Sequence, residues 1–397
     1  MPPTRTLVLN FGHFLDHLFM LLFAKAAFEA GLEFGFGSEF AYAEMIPYGM
    51  PAAVLFGAGA PIAATLADRL SRETMLATFF FGVGLSAVAA SLTGSPLGLG
   101  IALAAIGLFA SIYHPVGIAM LVEGGGNLGS RLGVNGVWGN FGVAGAPLLA
   151  GLAIANADWR MAFAGPGIAS LILGTVYLAR LRGRADSSLA TAESGDPSAD
   201  RMGDGWQRSL IAVGLVTLAG GFVFGAITFL IPRLFEVRLM GLSDDSALTG
   251  IFAALIFGIA SFSQIGVGRL LDRGSAKRVL MTVGAGQPLL LVWMATGTDA
   301  SLLAAALLAM AFIFGQVPIS DVIVARTVPD RLRPRILSLK FLLNLSVGAM
   351  TLPLVAWMLK EGGGFEAMLM LLALASIAVV LAAAILPTQP SRLRGSE

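Results

Sequence analysis

The chain has 397 residues, of which 56% are hydrophobic and only 12% charged, with a mean hydropathy of +0.83. Soluble domains carry about 25% charged residues, so this composition excludes an ordinary soluble protein and predicts an all-α polytopic membrane protein. A net charge of +1 provides no basic field for nucleic acid, and the lack of cysteine excludes disulfides, thiolate metal sites and cysteine nucleophiles.

A membrane-spanning helix needs about 20 mostly apolar residues. Twelve stretches qualify: 6–28, 42–66, 74–93, 97–121, 131–155, 160–180, 209–235, 247–271, 277–296, 300–326, 334–359 and 365–386. None shows the strict alternation of a barrel strand. The first follows Met1-Pro-Pro-Thr-Arg-Thr without a small-residue cleavage site, so it is expected to stay as a span and not leave as a signal peptide.

That first span is unusual. It reads Gly12-His13-Phe14-Leu15-Asp16-His17. His13 and His17 are four residues apart and share a helix face, and Asp16 lies at its edge. A carboxylate in hydrocarbon costs roughly 2.5–3.5 kcal/mol on insertion scales, which makes it a functional candidate. The chain holds three histidines in all, and the third, His114, falls in span 4 within Ser111-Ile-Tyr113-His114-Pro115-Val-Gly117. Span 5 is built on Gly133, Gly136, Gly139, Gly142 and Gly145, followed by Pro147. Glycines let helix backbones approach closely, and a proline inside a helix bends it. Successive i+3 glycines drift around a helix, so they cannot all line one seam.

Residues 181–208 form the one long polar stretch, rich in Ser, Gly, Asp and Arg. It reads as a linker. The expected domains are a six-helix bundle over 1–180, a cytoplasmic linker over 181–208 and a second six-helix bundle over 209–397. With the N-terminus inside, nineteen Lys and Arg fall on the linker side and five on the other. The positive-inside rule therefore puts both termini in the cytoplasm. The halves also repeat. Asp68-Arg69 and Asp272-Arg273 are 204 residues apart, and the same offset relates Leu66 to Leu270, Arg131 to Arg335, Asn140 to Asn344 and Leu148 to Leu352. Shared apolar periodicity does not place charged pairs and asparagines in register. Parallel repeated halves with a site between them are a known transporter plan.

The loops expected after spans 2 and 8 read Ala64-Thr-Leu66-Ala-Asp68-Arg69-Leu-Ser-Arg72 and Gly268-Arg-Leu270-Leu-Asp272-Arg273-Gly274-Ser-Ala-Lys277-Arg278. With these motifs in a 6 + 6 chain, the sequence resembles the major facilitator superfamily, whose loop signature is Gly-x-Leu-x-Asp-Arg-x-Gly-Arg-Arg/Lys. The likeness covers essentially the whole chain. It departs at Ala64, Ser71, Glu73 and Ser275. The resemblance implies a twelve-helix facilitator fold, rocking of two halves, and a gating role for Asp68, Arg69, Asp272 and Arg273. Asp68 could face a neighbouring helix N-terminus, and Arg69 could pair with Glu123. A plain positive-inside turn is the simpler reading of the same residues.

Span 5 also resembles the glycine-proline segment of facilitator antiporters, with Ala146 and Ala150 where glycines usually stand. Gly12-His13-Phe-Leu-Asp16-His17, Tyr113-His114-Pro115 and Gly139-Asn140-Phe-Gly142 together resemble the fosmidomycin-resistance branch. In that branch an acid often follows His-Pro. Here Val116 stands there, and Asp16 is the obvious replacement. In the superfamily, spans 1, 4, 7 and 10 line the cavity, so the resemblance places all three histidines on its wall.

These readings predict a secondary transporter that exports a small organic or amphipathic molecule by proton coupling in a bacterial-type inner membrane. It is expected to act as a monomer, not as an enzyme, and without cofactors. Asp16 is the expected proton carrier, with His13, His17 and His114 as its partners. His13, Asp16, His17, Tyr113, His114, Asn135, Asn140, Phe222, Lys340 and Asn344 are the expected substrate contacts. Asp321 could add to the polar wall, or merely pair with Arg326 or Arg335. Lys340 could instead snorkel to the interface, and Lys25 and Glu29 read as rim charges. His114 could be a packing histidine, and His13 could simply bond Asp16. The alternatives are a transporter of a transition-metal ion or chelate, since imidazoles and a carboxylate suit such metals, and a non-transporting assembly or sensor protein of the same fold.

Overall fold

The computed structural model describes residues 3–122, 128–182, 202–243, 245–329 and 332–387. Every regular element among them is a helix. In chain order these are α1 (Pro3–Glu33), α2 (Ala41–Leu70), α3 (Arg72–Ser91), α4 (Pro96–Ala110), α5 (Tyr113–Val122), α6 (Leu128–Asn156) and α7 (Met161–Arg182). Then follow α8 (Trp206–Arg238), α9 (Ser246–Ser261), α10 (Ser263–Arg273), α11 (Ala276–Thr296), α12 (Asp299–Thr327), α13 (Arg333–Lys360) and α14 (Gly364–Ile385). They supply twelve apolar segments long enough to cross a membrane among the described residues, one for each expected span. Exposed apolar residues such as Leu92, Leu97, Leu289 and Leu374 suit a lipid-facing surface. Helices satisfy their own backbone hydrogen bonds, which hydrocarbon requires.

Local chemistry sets the element ends. Ser95 caps α4 by accepting a hydrogen bond from the Gly98 amide at 3.1 Å, with Pro96 at the first helical position. Ser71 does the same for α3 through the Thr74 amide. Its φ of 135° lets α2 and α3 meet across a single residue. Consequently the Asp68-Arg69 pair stands in the last turn of α2, and Asp272-Arg273 in the last turn of α10, not in free loops. All four are exposed. An arginine in a last turn complements the negative end of the helix dipole. Glu123, the suggested partner of Arg69, and most of the expected linker lie outside the described residues.

Spans 4 and 8 are each split in two. The break in span 4 falls at Ser111-Ile112 and has a local cause. Pro115 has no amide hydrogen, and its ring clashes with the carbonyl four residues earlier. The chain therefore leaves α4 at Ser111 and restarts as α5 at Tyr113. Span 8 breaks at Phe262 without a proline, for which the structure offers no local cause.

The chain forms two compact units. The first comprises residues 1–189, 226–258 and 348–364. Within it α1 packs mainly on α6, α3 on α7, and α2 on α4. The second comprises 190–225, 259–347 and 365–397. There α12 packs on α11 and α10, around a core that includes Val213, Leu280, Ile319, Val324 and Val379.

The α1–α6 contact depends on missing side chains. A Cβ at Gly142 would overlap the Phe14 carbonyl oxygen of α1, and one at Gly139 would come within 2.7 Å of the His13 ring. Gly145 also faces Phe14 and Leu18, whereas Gly151 faces Ser246 and Gly250 of α9. Gly133 faces open space. Within the i+3 series, Gly139, Gly142 and Gly145 thus share the α1 seam, and Gly133 lies off it. Replacing glycine with alanine inside a helix ordinarily gains about 1 kcal/mol in propensity, while forced overpacking costs about 1–3 kcal/mol. At Gly142 the obstacle is backbone and cannot swing away, so overpacking wins. Thermal unfolding of the purified protein should show Gly142→Ala less stable than wild type, and Gly133→Ala equal or more stable.

Candidate functional site

The site is assembled by three helices of the first unit. α1 carries Asn10, His13, Asp16 and His17. The break before α5 sets Tyr113 and His114 against them. The glycines of α6 bring Asn135 and Gly139 close enough to touch α1.

Hydrogen bonds fix most of these groups. His13 Nδ1–H donates to the Asn135 carbonyl at 2.7 Å. A carbonyl only accepts, so His13 carries its proton on Nδ1 and presents a lone pair at Nε2. His17 Nε2–H donates to that nitrogen at 3.2 Å. Tyr113 donates its hydroxyl to the Leu9 carbonyl at 2.6 Å and accepts from Asn135 Nδ2 at 2.9 Å. The same Asn135 amide donates to Asn10 Oδ1 at 3.0 Å. The His13 ring stacks on Tyr113 at 5.0 Å between centroids. His114 stands edge-on to both His13 and His17, at 5.1 and 5.5 Å. Ring nitrogens of all three histidines lie within 4.8 Å of one another.

Asp16 sits differently. It is completely buried, and no hydrogen bond among the described residues reaches either carboxylate oxygen. Its nearest charge partner is His114, whose Nε2 lies 3.3 Å from Oδ2, in ion-pair range but without hydrogen-bond alignment. The direct His13–Asp16 bond considered from sequence gives way to this His114 contact. The neighbouring donors are engaged elsewhere: Tyr113 with Leu9, Asn135 with Asn10 and Tyr113, and His13 with Asn135.

The family model described as Major Facilitator Superfamily matches residues 20–339. The chain belongs to the major facilitator superfamily. Its fold is also that of solved facilitator structures. A bacterial homologue of the human lysosomal transporter Spinster superposes with a TM-score of 0.74 at 14% identity, covering 97% of this chain and 96% of that one. A D-xylose-proton symporter gives 0.75 at 15% identity, covering 96% and 95%. A POT family transporter in complex with 5-aminolevulinic acid gives 0.70 at 14%, covering 96% of each chain. No curated protein matches the sequence. The superfamily is one of multi-pass membrane transporters of small molecules, and this chain is therefore a secondary transporter.

The other residues singled out from this facilitator's sequence are placed separately. Asn140 is buried in α6 of the first unit, and its amide nitrogen has no hydrogen-bond partner among the described residues. Phe222, Lys340 and Asn344 belong to the second unit. Lys340 neither snorkels free nor leaves Asp321 to Arg326: the two form an ion pair with each other. Arg326 instead donates to the Leu271 carbonyl at 2.7 Å. Phe222 is half-buried, and Asn344 approaches α8 where Gly221 has no side chain. In the same unit Gln287 donates to Gln316 at 2.6 Å, a buried amide pair that the sequence reading passed over.

Lys25 is the main correction. It is not a rim charge, because it is only 1% exposed. Its Nζ donates to Glu236 Oε1 of α8 at 2.5 Å and to Thr249 Oγ1 of α9 at 2.8 Å. Arg233 holds the other Glu236 oxygen at 2.9 Å and lies over the Phe28 ring at 3.4 Å. All these residues are in the first unit, so this network ties the C-terminal half of α1 to α8 and α9. The available signal in the sequence was a pair of opposite charges inside two apolar spans. Nearby, Arg160 donates to Glu33 and to the Thr93 carbonyl at 2.9 Å, and the Glu33 carboxylate holds its guanidinium above the usual arginine range.

Removing one partner of a buried ion pair leaves an uncompensated charge, which costs about 3–5 kcal/mol, whereas removing both is often close to neutral. Thermal unfolding in detergent should therefore rank Glu236→Gln well below wild type. The double variant Lys25→Met/Glu236→Gln should recover most of the loss. Equal loss in the single and double variants would show that the pair is not the source of the stability.

Proposed function

We propose that this protein is a proton-coupled secondary transporter working by alternating access, with Asp16 as proton carrier and His13, His17 and His114 as its partners. The observation that carries this reading is the buried Asp16 carboxylate, which no hydrogen bond among the described residues reaches, in ion-pair range of an imidazole. An ionised carboxylate in hydrocarbon is penalised, and a proton removes that penalty. A group of this kind, exposed alternately to the two sides, moves a proton with each conformational cycle.

The moving bodies in this proposal are the two six-span halves, 1–180 and 209–397, joined by the 181–208 linker. Asp68, Arg69, Asp272 and Arg273 act as gating pairs. Both termini face the cytoplasm across a bacterial-type inner membrane, and one chain is the working unit. The cargo is a small organic molecule contacted by His13, Asp16, His17, Tyr113, His114, Asn135, Asn140, Phe222, Lys340 and Asn344. A cargo that reaches Lys340 has to compete with Asp321. Export is favoured by the likeness of α6 to antiporter glycine-proline segments and by the resemblance to the fosmidomycin-resistance branch. Among the fold neighbours, one is named as a proton symporter of D-xylose, which is consistent with proton coupling on this fold. A second reading, with a transition-metal ion or chelate as cargo, is favoured by the meeting of three imidazoles.

Liposomes with a trapped pH-sensitive dye test the coupling. Wild type should show substrate-dependent proton flux with one member of a panel of organic solutes and metal salts. Asp16→Asn should fall to the background of empty liposomes. Substrate movement without proton flux, unchanged by Asp16→Asn, would sink the coupled reading. Binding without any flux would instead favour the non-transporting alternative.

A further inference from the structure

A relay through Asp16 needs one imidazole beside it, yet the structure brings three together. Their ring nitrogens converge within 4.8 Å, from two positions on α1 and one on α5. The closest pair, His13 Nε2 and His17 Nε2, stands 3.2 Å apart. A tetrahedral dication with metal–nitrogen bonds of about 2.0–2.1 Å holds two ligand nitrogens about 3.3 Å apart. The His17 N–H now bridges this spacing; with the His17 proton moved to Nδ1, the two nitrogens stand at the separation of two ligands of one ion.

The surroundings point the same way. Metal-ligating histidines nearly always donate their other ring N–H to a carbonyl or carboxylate, which fixes the tautomer and the ring orientation. His13 does this through Nδ1–H to the Asn135 carbonyl and thereby presents Nε2 as a lone pair. Asp16 beside His114 supplies the carboxylate of such an outer shell and a negative charge to offset a buried cation. Tyr113 and Phe56 pack on the imidazoles from the apolar side. His17 and His114 are half-buried, so an ion can reach them. The donor set is nitrogen without thiolate, which suits zinc, iron, nickel or copper better than magnesium or calcium.

We infer that His13, His17 and His114 together bind one transition-metal dication, either bare or carried by a small chelator that fills the remaining coordination positions. This rests on the proposed reading only in taking the cluster as the working site, and it names the chemical class that site would accept.

The test uses full-length protein purified on a tag without histidines. The protein is dialysed against Co2+ and then Zn2+, each as the bare ion and with equimolar citrate. One Co2+ per chain is expected, with the intense visible bands of a four- or five-coordinate nitrogen site, displaced by Zn2+. His17→Ala and His114→Ala should each weaken binding by more than about 100-fold, since loss of an outer-shell partner alone costs about 10–100-fold. Leu289→Ala, at an exposed position of the second unit, should bind as wild type does. Where an alanine variant does not elute as a single species, His17→Gln and His114→Gln take its place. Binding only of the bare ion, or only with citrate, supports the inference and identifies the source. Cobalt uptake equal to that of His17→Ala/His114→Ala, or weak octahedral bands indifferent to the histidine variants, would overturn it, whatever Asp16→Asn does to proton flux. Metal bound as expected, with no flux in liposomes, would leave the metal site standing and reject the transport reading.

Discussion

The structure depends on keeping a carboxylate inside an apolar helix. Asp16 is wholly buried, and its two oxygens receive no hydrogen bond among the described residues. A buried polar group left unsatisfied costs about 1–3 kcal/mol, and a charged one more. A fold that only needed stability would have turned a nearby donor toward it. Tyr113 and Asn135 are within the same cluster, yet their donors are bound to Leu9, Asn10 and each other. The hydrogen bonds of Tyr113, Asn135 and His13 thus bypass Asp16. On the proposed reading, that leaves the carboxylate available to a proton or a cation.

Backbone chemistry positions the site. Pro115 breaks span 4 and so sets where Tyr113 and His114 stand. Gly139 and Gly142 let α6 lie against α1 so closely that the Asn135 carbonyl reaches His13. Neither device contributes a functional group. Each decides where the functional groups stand, and a single methyl at Gly142 would disturb the whole contact.

Much of this is legible in the sequence because hydrocarbon is a demanding solvent. It forces long apolar helices, so all twelve spans can be read from composition and length. It also makes every internal charge conspicuous, so Asp16 and the three histidines stand out before any coordinates. What the sequence does not carry is pairing. Lys25 looks like a rim charge until Glu236, 211 residues away in sequence, is found beside it. Asp321 has several basic residues within reach along the chain, and the fold selects Lys340. Asn10 carries no charge to mark it in the sequence, and only its contact with Asn135 gives it a part in the site. The break at Pro115 was readable in principle, since proline disrupts the turn before it. The break at Phe262 has no such signal.

α1 links the two ionic features of the first unit. Asp16 and Lys25 are nine residues apart on it, roughly 14 Å at about 1.5 Å per residue, with no proline between them. An unbroken helix of that length moves as a rod. The Lys25–Glu236–Thr249 network therefore anchors the same rod that carries Asp16, the proposed proton carrier, and, on the metal inference, two of the three ligands. A change of charge at the cluster and the making or breaking of the anchor are then two loads on one lever. This gives the buried lysine a reason to be there beyond stability. Two well-packed apolar residues would hold α1 to α8 and α9 at less desolvation cost, but an ion pair with directional partners holds it in one register and can be released as a unit.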